Sequence, residues 1–132
     1  MPHLQFELNF TPAPEEKRRF ADAVVRRFAE VMDTGTDHVA VTLRCLAPED
    51  LTFGRAAPGG GRCVFVNADL RNGRTREQKR RLCLAFIDEA ARAFRVAPEA
   101  VYVILTEHDG AEFQLSDRVL PSWSPGEDPL GG

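Results

Sequence analysis

Three residues of this 132-residue chain have the types and spacing to do proton chemistry on a small anion: Pro2, Arg71 and Arg74. Proline is a small second residue of the kind that permits removal of Met1, and removal would leave Pro2 as a secondary amine. Pro2 shares parity with Leu4, Phe6 and Leu8, so that amine would sit at the end of an apolar strand face. Burial disfavours the charged form of an amine, and a nearby arginine pushes the same way. An amine poised near neutral pH is an effective proton shuttle. The plainer alternative is a proline tolerated as the first residue of a strand. Arg71 and Arg74 lie in "DLRNGRTREQK", at the junction between an expected third strand and an expected second helix. Ligands bind beyond the C-terminal ends of parallel strands, and helix N-termini there favour anions. The planar fork of arginine suits a carboxylate, held bidentately. The alternative here is a solvated basic loop.

Other constellations carry less. His3, His38 and His108 fall in different elements, so no metal site is expected. Asp37 opens the second strand, where a turn or capping role competes with orienting a water. Glu107, Asp109 and Glu112 form an acidic cluster on an expected loop, without the regular alternate spacing of a calcium loop. Arg76, Lys79, Arg80 and Arg81 read as a wet helix face, because the first helix repeats the same Lys-Arg-Arg. Gly59-Gly60-Gly61 reads as a turn, since no Lys-Ser/Thr or GxGxxG pattern accompanies it.

The elements that must position these residues come from a doubled unit. Displaced by 62 positions, Glu15 falls on Glu77, Lys17 on Lys79, Ala23 on Ala85, Val41 on Val103 and Leu43 on Leu105. In "MPHLQFELNF", Leu4, Phe6, Leu8 and Phe10 alternate with polar residues, as in a half-buried strand. Phe20, Val24, Phe28 and Val31 recur at helical spacing, and Leu82, Phe86, Ala90 and Ala93 do the same. Pro14 and Glu15 suit a first helical turn. "TDHVAVTLRCL" and "PEAVYVIL" are the second strands. Each half therefore reads strand, helix, strand, a βαβ crossover with parallel strands.

The expected fold is α+β, built of α/β-type units. Two tandem βαβ repeats form one four-stranded sheet, parallel within each unit, with two helices on one face. Repeat one spans about 2–46, a connecting loop about 47–62, repeat two about 63–108 and a C-terminal strap about 109–132, all in one domain. Trp123 is the expected anchor of the strap, on a neighbouring subunit or on a pocket. Tyr102 and Ile104 give the fourth strand a second apolar face, so other subunits are expected to cover it.

Composition bounds the partners. The net charge of −3 argues against nucleic acid as the main partner. There is no apolar run near the ~20 residues that span a bilayer. No signal peptide is visible. Cys45, Cys63 and Cys83 lack metal-type spacing and read as free thiols in a reducing, cytoplasmic setting.

Pro2 heading a strand, the doubled βαβ unit, "FGRA", "NGRTREQK" and "VYVILTE" together resemble the tautomerase superfamily. Its double-length members include macrophage migration inhibitory factor, cis-3-chloroacrylic acid dehalogenase and malonate semialdehyde decarboxylase. The resemblance covers nearly the whole chain. It implies a homotrimer with pockets between subunits and the N-terminal proline as catalytic acid or base. It implies Arg71 and Arg74 as holders of the substrate carboxylate. It puts Tyr102 on the tyrosine of the inhibitory factor and Asp37 near the aspartate of the decarboxylase. Phe28, Ile104 and Leu115 or Gln114 stand where the dehalogenase has its histidine, tyrosine and glutamate, so dehalogenation is not expected. The expected activity is tautomerisation of a small 2-oxo or enol carboxylic acid, without metal or cofactor. Hydration or decarboxylation of a 3-oxo or unsaturated acid is the enzymatic alternative. A trimeric binding protein that retained Met1 is the non-enzymatic one.

Overall fold

The computed structural model describes residues 2–54 and 61–128. The described residues form four strands and two long helices: β1 (His3–Leu8), α1 (Pro14–Met32), β2 (Ala40–Cys45), β3 (Val64–Arg71), α2 (Arg76–Phe94) and β4 (Val101–His108). The strands form one sheet in the order β2-β1-β3-β4. Within each repeat the strands are parallel, β1 with β2 and β3 with β4. The repeats join through an antiparallel β1–β3 pair, with His3 opposite Asp69 and Leu8 opposite Val64.

The 62-residue displacement holds to the residue for the helices. Pro14–Met32 maps onto Arg76–Phe94, and both helices end on a left-handed residue, Asp33 (φ 49°) and Arg95 (φ 53°). Their starts differ. Thr75 caps α2 by accepting from Gln78 N at 3.1 Å, and the Gln78 side chain accepts from Thr75 N at 3.0 Å, a reciprocal box. Ala13 has no side chain to cap α1. There Pro14 supplies the fixed φ, and Glu16 accepts from Ala13 N at 3.2 Å.

The core lies between the helices and one face of the sheet. Leu4, Phe6 and Leu8 are fully buried, as are Val24, Phe28 and Phe86. Phe6 meets Phe20 and Phe86 edge-on at 4.9 and 5.7 Å, and Phe20 meets Phe94 at 4.6 Å. The α2 stripe departs from the spacing read in the sequence. It runs from Ala90 to Phe94, and Ala93 is exposed. β1 also ends earlier than the alternation suggested. Asn9, on the polar parity, is buried because its amide oxygen accepts from Cys63 N at 2.8 Å and its amide nitrogen donates to Gly61 O at 3.0 Å. Cys63 immediately precedes β3 rather than lying in it, and the three cysteines are free. Of the triple-glycine turn, Gly59 and Gly60 lie outside the described residues, as do Arg55 and Ala56 of "FGRA".

The opposite sheet face is partly polar and partly apolar. His3 is hydrogen-bonded to Thr42 (2.7 Å), Gln5 donates to Asp69 (2.9 Å), and His108 meets both Asp69 (2.9 Å) and Glu112 (3.1 Å). Beside this network Phe53, Phe65 and Tyr102 form an aromatic patch, and Tyr102 and Ile104 are 44 % and 41 % exposed. The acidic cluster read as a loop is split. Glu107 belongs to β4 and takes Lys79 at 2.7 Å, while Asp109 accepts from Asn72 at 2.7 Å.

Candidate functional site

Because β1 runs against β3, the first residue of the chain's first strand and the last residue of the third meet at one end of the sheet. The register that pairs His3 with Asp69 carries Pro2 across from Leu70, one residue before Arg71. Pro2 is buried, and its carbonyl accepts from Ala40 N at 3.0 Å, which ties the head of β1 to the start of β2. α2 opens at Arg76, two residues after Arg74 and capped by Thr75, so its positive end lies in the same region.

Both arginines are buried, which a solvated basic loop would not require. Arg71 is 2 % exposed and Arg74 7 %. Arg71 closes β3 and donates to Pro121 O at 2.6 Å. Its two terminal nitrogens face the two carboxylate oxygens of Glu127, Nη2 to Oε1 and Nη1 to Oε2 (3.3 Å). Arg74 donates from Nη1 to Arg71 O at 3.2 Å. Its guanidinium lies over the Trp123 ring at 5.0 Å and over the Phe28 ring at 5.7 Å. Burial, then the neighbouring Arg71 charge, pushes Arg74 down to about 10, with Glu107 opposing. Burial also lowers Arg71. Both remain cations at neutral pH.

Among the described residues two buried side-chain nitrogens have no partner, Arg74 Nε and Trp123 Nε1. Leaving such a donor unmet costs about 1–3 kcal/mol. The two side chains are stacked on each other, so an acceptor bound there would meet both a cation and an indole N–H.

The strap holds this arrangement in place. Trp123 N donates to Asn72 O at 2.8 Å, and Asn72 N donates to His108 O at 2.8 Å. At Gly73 (φ 126°) a Cβ would stand 2.4 Å from Trp123 O, and at Gly110 one would stand 2.2 Å from Pro121 O. Only glycine lets the strap lie this close at both places. The sequence left Trp123 between a pocket and a neighbouring subunit. In the described chain it is 7 % exposed and packs on Arg74 of its own protomer.

His38 lies in the turn before β2 and is buried there. It is 4 % exposed and lies 3.4 Å from Thr34 Oγ1. Its imidazole is pushed below the ordinary value by burial, then by the amino terminus, Arg71 and Arg74, with Asp128 opposing. It is therefore neutral at pH 7. Asp37, next to it in sequence, is exposed and meets Thr36 Oγ1 at 3.4 Å, outside the arginine cluster. Tyr102 pairs with Phe65 near the start of β4, whereas Arg71 pairs with His108 at its end. Six residues of strand, about 20 Å, separate them within one protomer. The cleft between the helices, lined by Glu16, Arg19, Arg26, Glu89 and Arg92, contains none of the buried unpartnered atoms.

Comparison with known proteins bears on the fold. Residues 65–121 match the family model described as tautomerase enzyme. No curated protein matches the sequence. Among solved structures, a symmetric trimer of wild-type fused 4-OT superposes with a TM-score of 0.80 at 20 % identity, over 89 % of this chain and 94 % of that one. The macrophage migration inhibitory factor of Toxoplasma gondii gives 0.75 at 15 % identity, over 89 % and 99 %. FG41 malonate semialdehyde decarboxylase inhibited by 3-bromopropiolate gives 0.74 at 24 %, over 86 % and 88 %.

Proposed function

We propose, from the match of residues 65–121 to the tautomerase enzyme family model, that the chain is a cofactor-independent tautomerase of a small 2-oxo or enol carboxylic acid. The observation that carries the reading is two buried arginines, Arg71 closing β3 and Arg74 just before α2, at the sheet end to which the β1–β3 register brings a buried Pro2. Arg71 is paired with Glu127, while Arg74 beside it keeps one N–H unpartnered. A carboxylate bound at Arg74 offsets the remaining repulsion between the two cations.

In this reading Met1 is removed and the Pro2 amine is the base. Burial and the two arginines disfavour its ammonium form. The substrate carboxylate is held at the arginine pair, through Arg74 beside the Glu127-paired Arg71. The amine takes a proton from the enol hydroxyl and returns it to carbon, while arginine charge stabilises the developing enolate oxygen. His38, held neutral, adds no further positive charge. The active assembly is a homotrimer. The exposed Tyr102 and Ile104 favour it, because a second protomer covering that sheet face removes them from water. Tyr102, far from Arg71 within its own protomer, contributes to the site only where a second protomer brings it there.

A hydratase or decarboxylase reading needs a protonated Pro2 and a residue that positions water. The exposed Asp37, with Thr36 as its contact, supports that reading less well. The pH dependence of kcat/KM on phenylpyruvate separates the two. Activity that rises with pH through a single ionisation fits a neutral amine base. Activity that falls through it identifies an ammonium acid and contradicts the tautomerase mechanism proposed here.

A further inference from the structure

Glu127 occupies the place on Arg71 that a substrate carboxylate would take. Both terminal nitrogens of Arg71 face both oxygens of Glu127, in the geometry that arginine offers to any carboxylate. The pair is largely dry, with side chains 2 % and 13 % exposed. It is delivered by the strap. Gly126 (φ 72°) turns the chain, Glu127 N lies 3.4 Å from Ser124 O, and Trp123 is pinned to Asn72. A carboxylate tethered this closely acts at millimolar or higher effective concentration. A free acid must compete against that.

We propose that Glu127 is an internal carboxylate that sets the charge specificity of the site, so that it accepts monoanionic acids and excludes dianions. The balance of charge leads there. Arg71 and Arg74 bring two positive charges and Glu127 one negative, leaving a single positive charge for the ligand. Glu107 is neutralised by Lys79, and the amino terminus and Asp128 act on His38 with opposite signs. A monoanion binds through the unpartnered Arg74 Nε and Trp123 Nε1 with Glu127 in place. A dianion needs Arg71 as well and must first displace Glu127. The inference rests on the carboxylate-binding reading of the arginines and adds the class of acid they select.

The chain has one tryptophan, so its single indole N–H resonance reports on this site alone. The experiment follows that resonance while propionate (a monoanion) and malonate (a dianion) are titrated into wild type, Glu127→Gln and Glu127→Asp. Glu127→Gln should tighten malonate by at least about tenfold and propionate by no more than about threefold. Glu127→Asp retains the charge while changing the packing, and should keep the wild-type ratio. Parallel changes for both acids, or a Glu127→Gln variant indistinguishable from wild type, overturn the proposal. If neither acid moves the indole signal in any of the proteins, the carboxylate reading falls with it. If the acids bind with no dependence on Glu127, the specificity proposal alone falls.

Discussion

The Arg74 guanidinium lies 5.0 Å from the centre of the Trp123 ring, and each of these two buried side chains has one N–H without a partner. Trp123→Phe keeps an aromatic ring beneath the cation and removes the indole N–H together with part of the buried ring. The smaller ring should cost about 1–2 kcal/mol of stability, offset in part by removal of the unmet donor. If the indole donates to substrate, KM should rise by about tenfold, the value of one hydrogen bond to a charged group. Melting curves and steady-state kinetics on phenylpyruvate check both parts.

The two arginines should fail differently. Arg74→Ala removes a cation stacked between Phe28 and Trp123 and should lower kcat/KM by about 10–100-fold, mainly through KM. Arg71→Ala also strands the Glu127 carboxylate and frees Pro121 O. It should cost about 3 kcal/mol of stability in addition, measured by urea unfolding. Arg74→Lys should restore little, because an ammonium cannot reproduce the planar fork.

Gly73→Ala tests the strap. Its φ of 126° and the 2.4 Å approach to Trp123 O leave no room for a methyl group. The variant should lose about 1–3 kcal/mol and, by lifting Trp123, raise KM as well. Gly35→Ala, with nothing within 4 Å of the added carbon, is the control and should behave as wild type.

Much of this was legible in the sequence, for identifiable reasons. Leu4, Phe6 and Leu8 announced a strand because alternate residues of a strand share a face. The helices were legible twice over, since Pro14–Met32 and Arg76–Phe94 repeat at one displacement. Three features were hidden because tertiary contacts decide them. Asn9 is buried by bonds to Gly61 and Cys63, more than 50 residues away. The helical stripe shifts from Ala93 to Phe94 as the last turn of α2 packs on Phe10 and Phe20. His38 is made a weaker base by burial first, then by charges that include Arg71 and Arg74 from the other repeat. The Thr75-to-Gln78 capping box was the one local signal present in the sequence and not used. Glu127 sits in a Pro- and Gly-rich segment where neither period nor motif marks it.

Two histidines predict opposite responses of stability to pH. His108 lies between Asp69 and Glu112, whose carboxylates raise its affinity for the proton, Asp69 most. Its contribution is complete below its unfolded pKa near 6.5 and is lost as pH rises through the higher folded value. His38 is lowered by burial first. Its cost is absent above pH 6.5 and grows as pH falls toward the lower folded value, because the unfolded chain takes the proton more readily. His108→Gln should therefore flatten the loss of stability above pH 6.5, and His38→Gln the loss below it. Denaturant midpoints across pH 5–8 distinguish the two.

The central claim is that the amine of Pro2 is the proton carrier. It is tested most directly by the intact mass of protein made from its native start, with phenylpyruvate tautomerisation by that protein and by Pro2→Ala measured alongside. The account predicts a mass lacking methionine and a loss of at least about 10²-fold in kcat/KM on substitution, the scale of general acid–base catalysis. A mass retaining methionine, or activity indifferent to Pro2→Ala, would contradict it and leave Pro2 as the first residue of a strand.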